Sequence, residues 1–258
     1  MSVDGGRGRA LIVVAVASLL IAALLVRSSS SSPTDRPPAG HDEARHPLGR
    51  PPVVTGSGGY RFFWTQPYSA QPVTWDPCRP VHYVLKGTAP AGAERLLDDG
   101  IEALHEATGL RLHRDADTDE PLVHGRAGYQ PGRYGRRWAP LLIAWSDPLE
   151  TPEFTGSWIG LTTPQVVAGA SGRLTIVTGI IRFDRNKFAA NLAHDEPSQA
   201  LAMRAVVLHE LAHAVGLGHV DDPRDVMYPS TRGGVTAWGS GDLRGLAAVG
   251  RGRCAPDL

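Results

Sequence analysis

The stretch His209-Glu210-Leu211-Ala212-His213-Ala214-Val215-Gly216-Leu217-Gly218-His219 decides the fold, because it fills every fixed position of H-E-x-x-H-x-x-G-x-x-H. Residues four apart share a helix face, so His209 and His213 can aim imidazole nitrogens at one metal ion. Glu210, next to His209, reaches a water on that metal without being a ligand itself. On a continued helix, at about 1.5 Å per residue, His219 would lie roughly 9 Å beyond His213 and on another face. Gly216 resolves this, since glycine tolerates the left-handed turn that ends a helix and brings the chain back. Three neutral imidazoles with an open fourth position describe a catalytic zinc rather than a closed structural one. A hydrogen-bonded core histidine is the alternative for any single member, but the joint spacing argues against it for the set.

A second element follows. Asp225-Val226-Met227-Tyr228-Pro229 places a methionine eight residues after His219, the spacing of a Met-turn. With these two motifs the chain resembles the metzincin peptidases and, within them, the matrixins. The span from His219 to Pro229 is similar to the matrixin H-S-x-D-x-x-x-x-M-Y-P, and Gly241-Asp242-Leu243-Arg244-Gly245-Leu246 to that family's D-D-I-x-G-I helix. The resemblance runs over residues 75–250 or so and is most specific around the histidines. It implies an α+β, metzincin-like (zincin) domain: a twisted mixed sheet, an active-site zinc helix, a Met-turn and a C-terminal helix. It also implies peptide-bond hydrolysis at one catalytic Zn2+ held by His209, His213 and His219, with Glu210 as general base and Met227 as a hydrophobic floor. A protein or peptide is then the substrate. The reading from another class is a catalytically silent, zinc-containing extracellular binding domain. Tyr228 directly follows the methionine, whereas a tyrosine ligand would stand two residues after it, so Tyr228 is read as packing.

Several positions depart from the matrixin pattern. The family's H-F-D segment is Arg182-Phe183-Asp184 here, and Leu161-Thr162-Thr163 stands where a further ligand histidine would be. A protonated arginine does not ligate zinc. Lys187 replaces an expected calcium-binding glutamate, so a single zinc is expected. Pro229-Ser230-Thr231 lacks the tyrosine that walls the matrixin specificity pocket. Gly241 replaces the first aspartate of the pair that anchors an activated N-terminus. The other histidines, His41, His46, His82, His105, His113, His124 and His194, show no ligand spacing and read as solvated or packed residues.

The 258 residues carry no formal net charge, which leaves room for one substantial domain plus appendages and gives no argument for a nucleic-acid partner. Arg7 and Arg9 precede an uncharged apolar run over residues 10–26. This predicts an N-inside, single-pass anchor within residues 1–27 that places the rest outside the cell membrane. A cleaved signal peptide and secretion is the alternative. Residues 28–59, rich in Ser, Pro and Gly, bury too little to fold and read as a disordered tether. Residues 60–258 form the catalytic domain, expected to be a monomer. Strands are predicted at 80–85, 110–113, 141–145, 158–162 and 173–184. Helices are predicted at 91–108, from Pro197 through the histidines, and at 240–249. Residues 115–138, rich in Gly and Arg, fit no element. Cys78 and Cys254 are the two cysteines, and export favours a disulfide between them. The rival is a cysteine switch on zinc through Cys78, but that residue stands two positions before the first strand, leaving no cleavable segment between.

Overall fold

The computed structural model describes residues 36–193, 196–230 and 234–258. In chain order the elements are β1 (Arg61–Phe62), β2 (Thr74–Trp75), β3 (Val81–Lys86), α1 (Ala93–Thr108), β4 (Leu112–Arg114), α2 (Pro131–Tyr134), β5 (Leu141–Ser146), β6 (Gly160–Ala168), β7 (Leu174–Asp184), α3 (Arg185–Leu192), α4 (Pro197–Ala214), β8 (Leu217–Gly218) and α5 (Ser240–Val249). Six strands form a mixed sheet in the order β2-β7-β5-β3-β4, with β6 added antiparallel to β7. β7 runs parallel to both β5 and β2. This is the α+β architecture implied by the sequence.

Glycine decides how the helices end and approach. Gly109 closes α1 in the left-handed region at φ 69°, its N–H donating to His105 O. On the buried face of α1, a Cβ at Gly100 would stand 2.9 Å from Leu211 and from Val207, so the missing side chain lets α1 close onto α4. Leu97, Ile101 and Leu104 of α1, Val206, Val207 and Leu211 of α4, and Ile143, Ile181 and Phe183 of the sheet share one buried cluster. Burying a side chain of this size contributes about 1.5–3 kcal/mol. Trp145, Phe183 and Phe188 pack ring against ring in the same cluster, with centroids 5.0–5.4 Å apart.

The other sheet face carries Val84, Leu142 and Ile180, capped by Leu122 and Tyr134. That cover is the 115–138 segment, which fits no element by its sequence pattern but carries the single-turn helix α2 and is held down by a buried ion pair. Arg126 donates from Nε to Glu120 Oε1 at 2.7 Å and from Nη2 to Glu120 Oε2 at 2.9 Å. It also donates to Thr178 Oγ1 on β7 and to Pro140 O. Gln130 and Tyr134 donate to the same carboxylate at 2.6 Å each. Every oxygen of Glu120 is thereby satisfied, the condition for burying charge without leaving it stranded.

The loop between β5 and β6 is fastened by Lys187. Its Nζ donates to the carbonyls of Phe154, Gly156 and Trp158 at 2.7, 2.9 and 2.9 Å. It also lies 2.7 Å from Asp184 Oδ2. Asp184 Oδ1 meanwhile caps α3, accepting from the N–H groups of Asn186 and Lys187.

Two expectations about the ends of the chain meet the structure differently. The predicted anchor at 10–26 lies outside the described residues, among which no helix is long and apolar enough to cross a membrane. The tether expected over 28–59 does not run loose from residue 36 on. Ala44 N–H and Leu48 N–H donate to Cys78 O and Pro77 O, and Gly58 O accepts from Arg244 Nη1 at 3.0 Å. Backbone hydrogen bonds to a folded surface hold a segment whose own side chains bury little, which composition alone does not reveal. Cys78 and Cys254 form a disulfide across a separation of 176 residues, so Cys78 Sγ is committed there and not to a metal.

Candidate metal centre

α4 carries His209 and His213 one turn apart, both buried. After Ala214 the helix stops. Gly216 takes φ 111°, a conformation that side chains rarely adopt, and a Cβ there would lie 2.8 Å from Val73 O. The reversal returns His219 to the two helical histidines. Its Nε2 stands 3.1 Å from His209 Nε2 and 3.1 Å from His213 Nε2. These separations are close to the roughly 3.3 Å ligand–ligand edge of a tetrahedron with bonds of about 2.0 Å. The three residues form a group that could hold a metal ion.

The neighbours fix which nitrogens face inward. His209 Nδ1–H donates to Val226 O and His213 Nδ1–H to Leu217 O, each at 2.7 Å. With Nδ1 carrying the proton, Nε2 presents a lone pair on both rings. One proton on His219 Nε2 can serve only one of the two facing lone pairs, whereas a cation serves all three. Burial also keeps these rings neutral, pushing His209 down to about 3 and His213 well below the usual imidazole range, with His219 lowered for the same reason. Neutral imidazole is the form that binds metal.

Two backbone devices hold the acceptor carbonyls. β8 pairs antiparallel with β1, Phe62 opposite Leu217, and Phe63 N–H donates to Gly216 O at 2.7 Å. The Phe63 ring stands against His213, 5.5 Å between centroids. On the other side Asp242, fully buried in the first turn of α5, accepts from Val226 N–H at 2.9 Å, Gly239 N–H at 3.1 Å and Met227 N–H at 3.4 Å. Met227 is buried in the main core cluster, and Val220 N–H donates to Met227 O to close the turn. The site of Gly241 explains its departure from aspartate: the Gly59 carbonyl occupies the space where a Cβ would go.

Glu210 is fully buried beside the histidines. Thr162 Oγ1 lies 2.6 Å from its Oε2, and burial pushes the carboxyl up to about 8, against the lowering effect of Thr162 and of the Arg182 charge. Arg182, on β7, does not join the histidines and donates to Thr163 Oγ1.

A second juxtaposition escapes sequence spacing altogether. His82 of β3 and His113 of β4 are register partners in a parallel pair, and with Asp115 they lie within reach of one centre. Arg137 occupies that spot: Nη1 is 2.7 Å from His82 Nδ1 and Nη2 donates to Asp115 Oδ2 at 2.7 Å. A guanidinium so placed repels a second cation, so these histidines read as part of an ionic network.

Residues 162–243 match the family model of the matrixins, a peptidase family, and that span holds all three converging histidines, Glu210 and Met227. Over this span the chain is similar to the matrixins. No curated protein matches the chain. Among solved structures, the GM1-bound form of the ECX AB5 holotoxin aligns at 13% identity and a TM-score of 0.30, covering 54% of this chain and 52% of that one. The chain thus spans about half of that structure's length. A zinc-dependent peptidase from Methanocorpusculum labreanum (strain Z) aligns at 15% identity and a TM-score of 0.29, covering 57% of this chain and 86% of that one. Likeness at this level carries no argument about activity.

Proposed function

We propose that the chain is a zinc-dependent endopeptidase, with His209, His213 and His219 as the metal ligands and Glu210 as the general base. The observation that carries the reading is the convergence of His219 Nε2 to 3.1 Å from both His209 Nε2 and His213 Nε2, on a helix that also carries the buried Glu210 carboxyl. The matrixin match over 162–243 supports the same class. A bound zinc lowers the pKa of a water toward neutrality and polarises the scissile carbonyl. Glu210 removes a proton from the attacking water and returns it to the leaving nitrogen, acting first as general base and then as general acid. Met227 gives the histidines an apolar floor and takes no part in proton transfer. The substrate is a protein or peptide, cut by a monomer. Residues 60–258 form the catalytic unit, carried outside the cell on an anchor at 10–26, or released if that segment is cleaved.

The full chain should carry close to one zinc and cleave a denatured protein such as casein. Glu210→Gln should keep the metal and lose about 10²- to 10⁴-fold in kcat. A fully active Glu210→Gln variant would remove the carboxylate from the mechanism. Zinc content without cleavage across a broad peptide library would favour the silent binding domain instead.

A further inference from the structure

Thr162 lies on β6 opposite Ile181, buried against α4, and its hydroxyl faces two acceptors of one residue. Oγ1 is 2.6 Å from Glu210 Oε2 and 3.1 Å from the Glu210 backbone oxygen. The other carboxyl oxygen, Oε1, is buried without a hydrogen-bond partner among the described residues. Two residues earlier, Gly160 lies against that oxygen: a Cβ there would stand 2.6 Å from Oε1 and from Cγ. One strand therefore treats the two oxygens differently, placing a donor on one and only bare backbone beside the other.

We propose that Thr162 is a positioning residue for the general base, pinning Oε2 so that Oε1 is the oxygen that carries the proton, while Gly160 keeps Oε1 clear. This rests on the reading of Glu210 as the base. A hydroxyl has one proton to give, and the shorter contact to a charged oxygen takes it while Glu210 is ionised. Once Oε1 has accepted the proton of the attacking water, the water's oxygen bonds to the scissile carbon and Glu210 is a neutral acid. Its Oε2 is then a carbonyl oxygen and still accepts the same hydrogen bond. As the C–N bond breaks, Oε1 releases the proton to the leaving nitrogen and the carboxylate is restored. Thr162 holds the heavy atoms in one arrangement through both protonation states, so no reorientation intervenes between the two transfers.

The test uses the full chain with Thr162→Val, which keeps the side-chain shape and removes the donor, Thr162→Ser, which keeps the donor, and Glu210→Gln as the reference for loss of the base. Thr162→Val should lower kcat on a peptide substrate by about 10- to 100-fold, the effect of a misplaced catalytic group. KM should stay within about twofold and zinc per chain should be unchanged. Thr162→Ser should stay within about threefold of the parent. In crystals of the metal-free variants, the Glu210 carboxyl should be turned away from its parental orientation with Val and unchanged with Ser. Parental kcat and an unmoved carboxyl in Thr162→Val overturn the proposal, as does Ser failing in step with Val, which would mark a packing role. If Thr162→Val does not fold, Thr162→Ala is scored by the same criteria. An active Glu210→Gln would sink the base assignment itself, whereas an inactive Glu210→Gln beside an unimpaired Thr162→Val would sink this proposal alone.

Discussion

Replacing Asp242 by asparagine asks how far the metal centre depends on a residue that does not touch it. The carboxylate accepts three backbone N–H groups, of which Val226 is the closest at 2.9 Å, and Val226 in turn accepts His209 Nδ1–H through its carbonyl at 2.7 Å. Asparagine has the same outline, but one of its two tips becomes a donor facing donors. At least one charge-assisted hydrogen bond is lost, about 1.5–3 kcal/mol. Removing an outer partner of this kind typically weakens metal binding about 10- to 100-fold, which at about 1.4 kcal/mol per factor of ten is the same range. Zinc titrated against a chromophoric chelator at neutral pH measures the affinity of parent and variant. Urea unfolding of the metal-free proteins separates the effect on the fold. Zinc affinity within about twofold of the parent, alongside a clear loss of stability, would refute the coupling through Val226. The pH dependence has a definite sign. Burial pushes the Asp242 carboxyl up to about 6, more strongly than its backbone hydrogen bonds pull it down. Its unfolded value is near 3.9. The folded state therefore binds the extra proton between about pH 4 and 6, and the stability this group contributes falls as pH rises through that window. Asparagine does not titrate, so the advantage of the parent over the metal-free variant should shrink from pH 4 to pH 7.

Arg126→Met should lower the unfolding free energy by about 3–5 kcal/mol, because it strands a buried carboxylate; a loss below about 1 kcal/mol in urea titration contradicts the role given to this pair. Burial alone would raise Glu120, but hydrogen bonds from Arg126, Gln130 and Tyr134 and the guanidinium charge bring it below the usual range. In the parent its contribution is therefore present above about pH 4.3 and lost as pH falls further. Without Arg126 the trend should reverse, the variant losing most at neutral pH. Lys187→Met should cost about 2–3 kcal/mol, discounted for partial exposure, read as a lower unfolding midpoint. A calcium-selective chelator should leave the parent's midpoint unchanged, and a drop on chelation would show that the loop depends on a cation the lysine does not replace.

Much of the frame could be read from residues alone, because it rests on local chemistry. Gly109 and Gly216 mark the ends of α1 and α4 through the same left-handed freedom, and Pro197 opens α4 where its missing N–H is harmless. What the sequence hides depends on partners far along the chain. The strand predicted at 158–162 continues to Ala168 through Pro164, a residue that reads as a breaker. Proline is tolerated there because β6 is an edge strand, with no further strand paired to it among the described residues. The 115–138 segment shows no periodicity because long-range polar bonds to Thr178 and Pro140 hold it, not an apolar stripe. β1 and β8 have two residues each, too short for any pattern. Thr162 is unremarkable among its neighbours until β6 is laid against α4, and His82 meets His113 only through strand register.

The cage around Lys187 has a consequence for where such a protein can work. A loop closed by a dissociable ion is only as firm as the ion is abundant, by the mass-action law that governs any ligand binding the folded state. Here the positive charge is a side chain of the same polypeptide, so it arrives with folding, cannot be diluted away and does not exchange with the medium. The carbonyls of Phe154, Gly156 and Trp158 and the Asp184 carboxylate are already engaged by that ammonium. The loop leading into β6, and through β6 the strand that cradles Glu210, is thus fastened at these oxygens by a charge that the chain itself supplies.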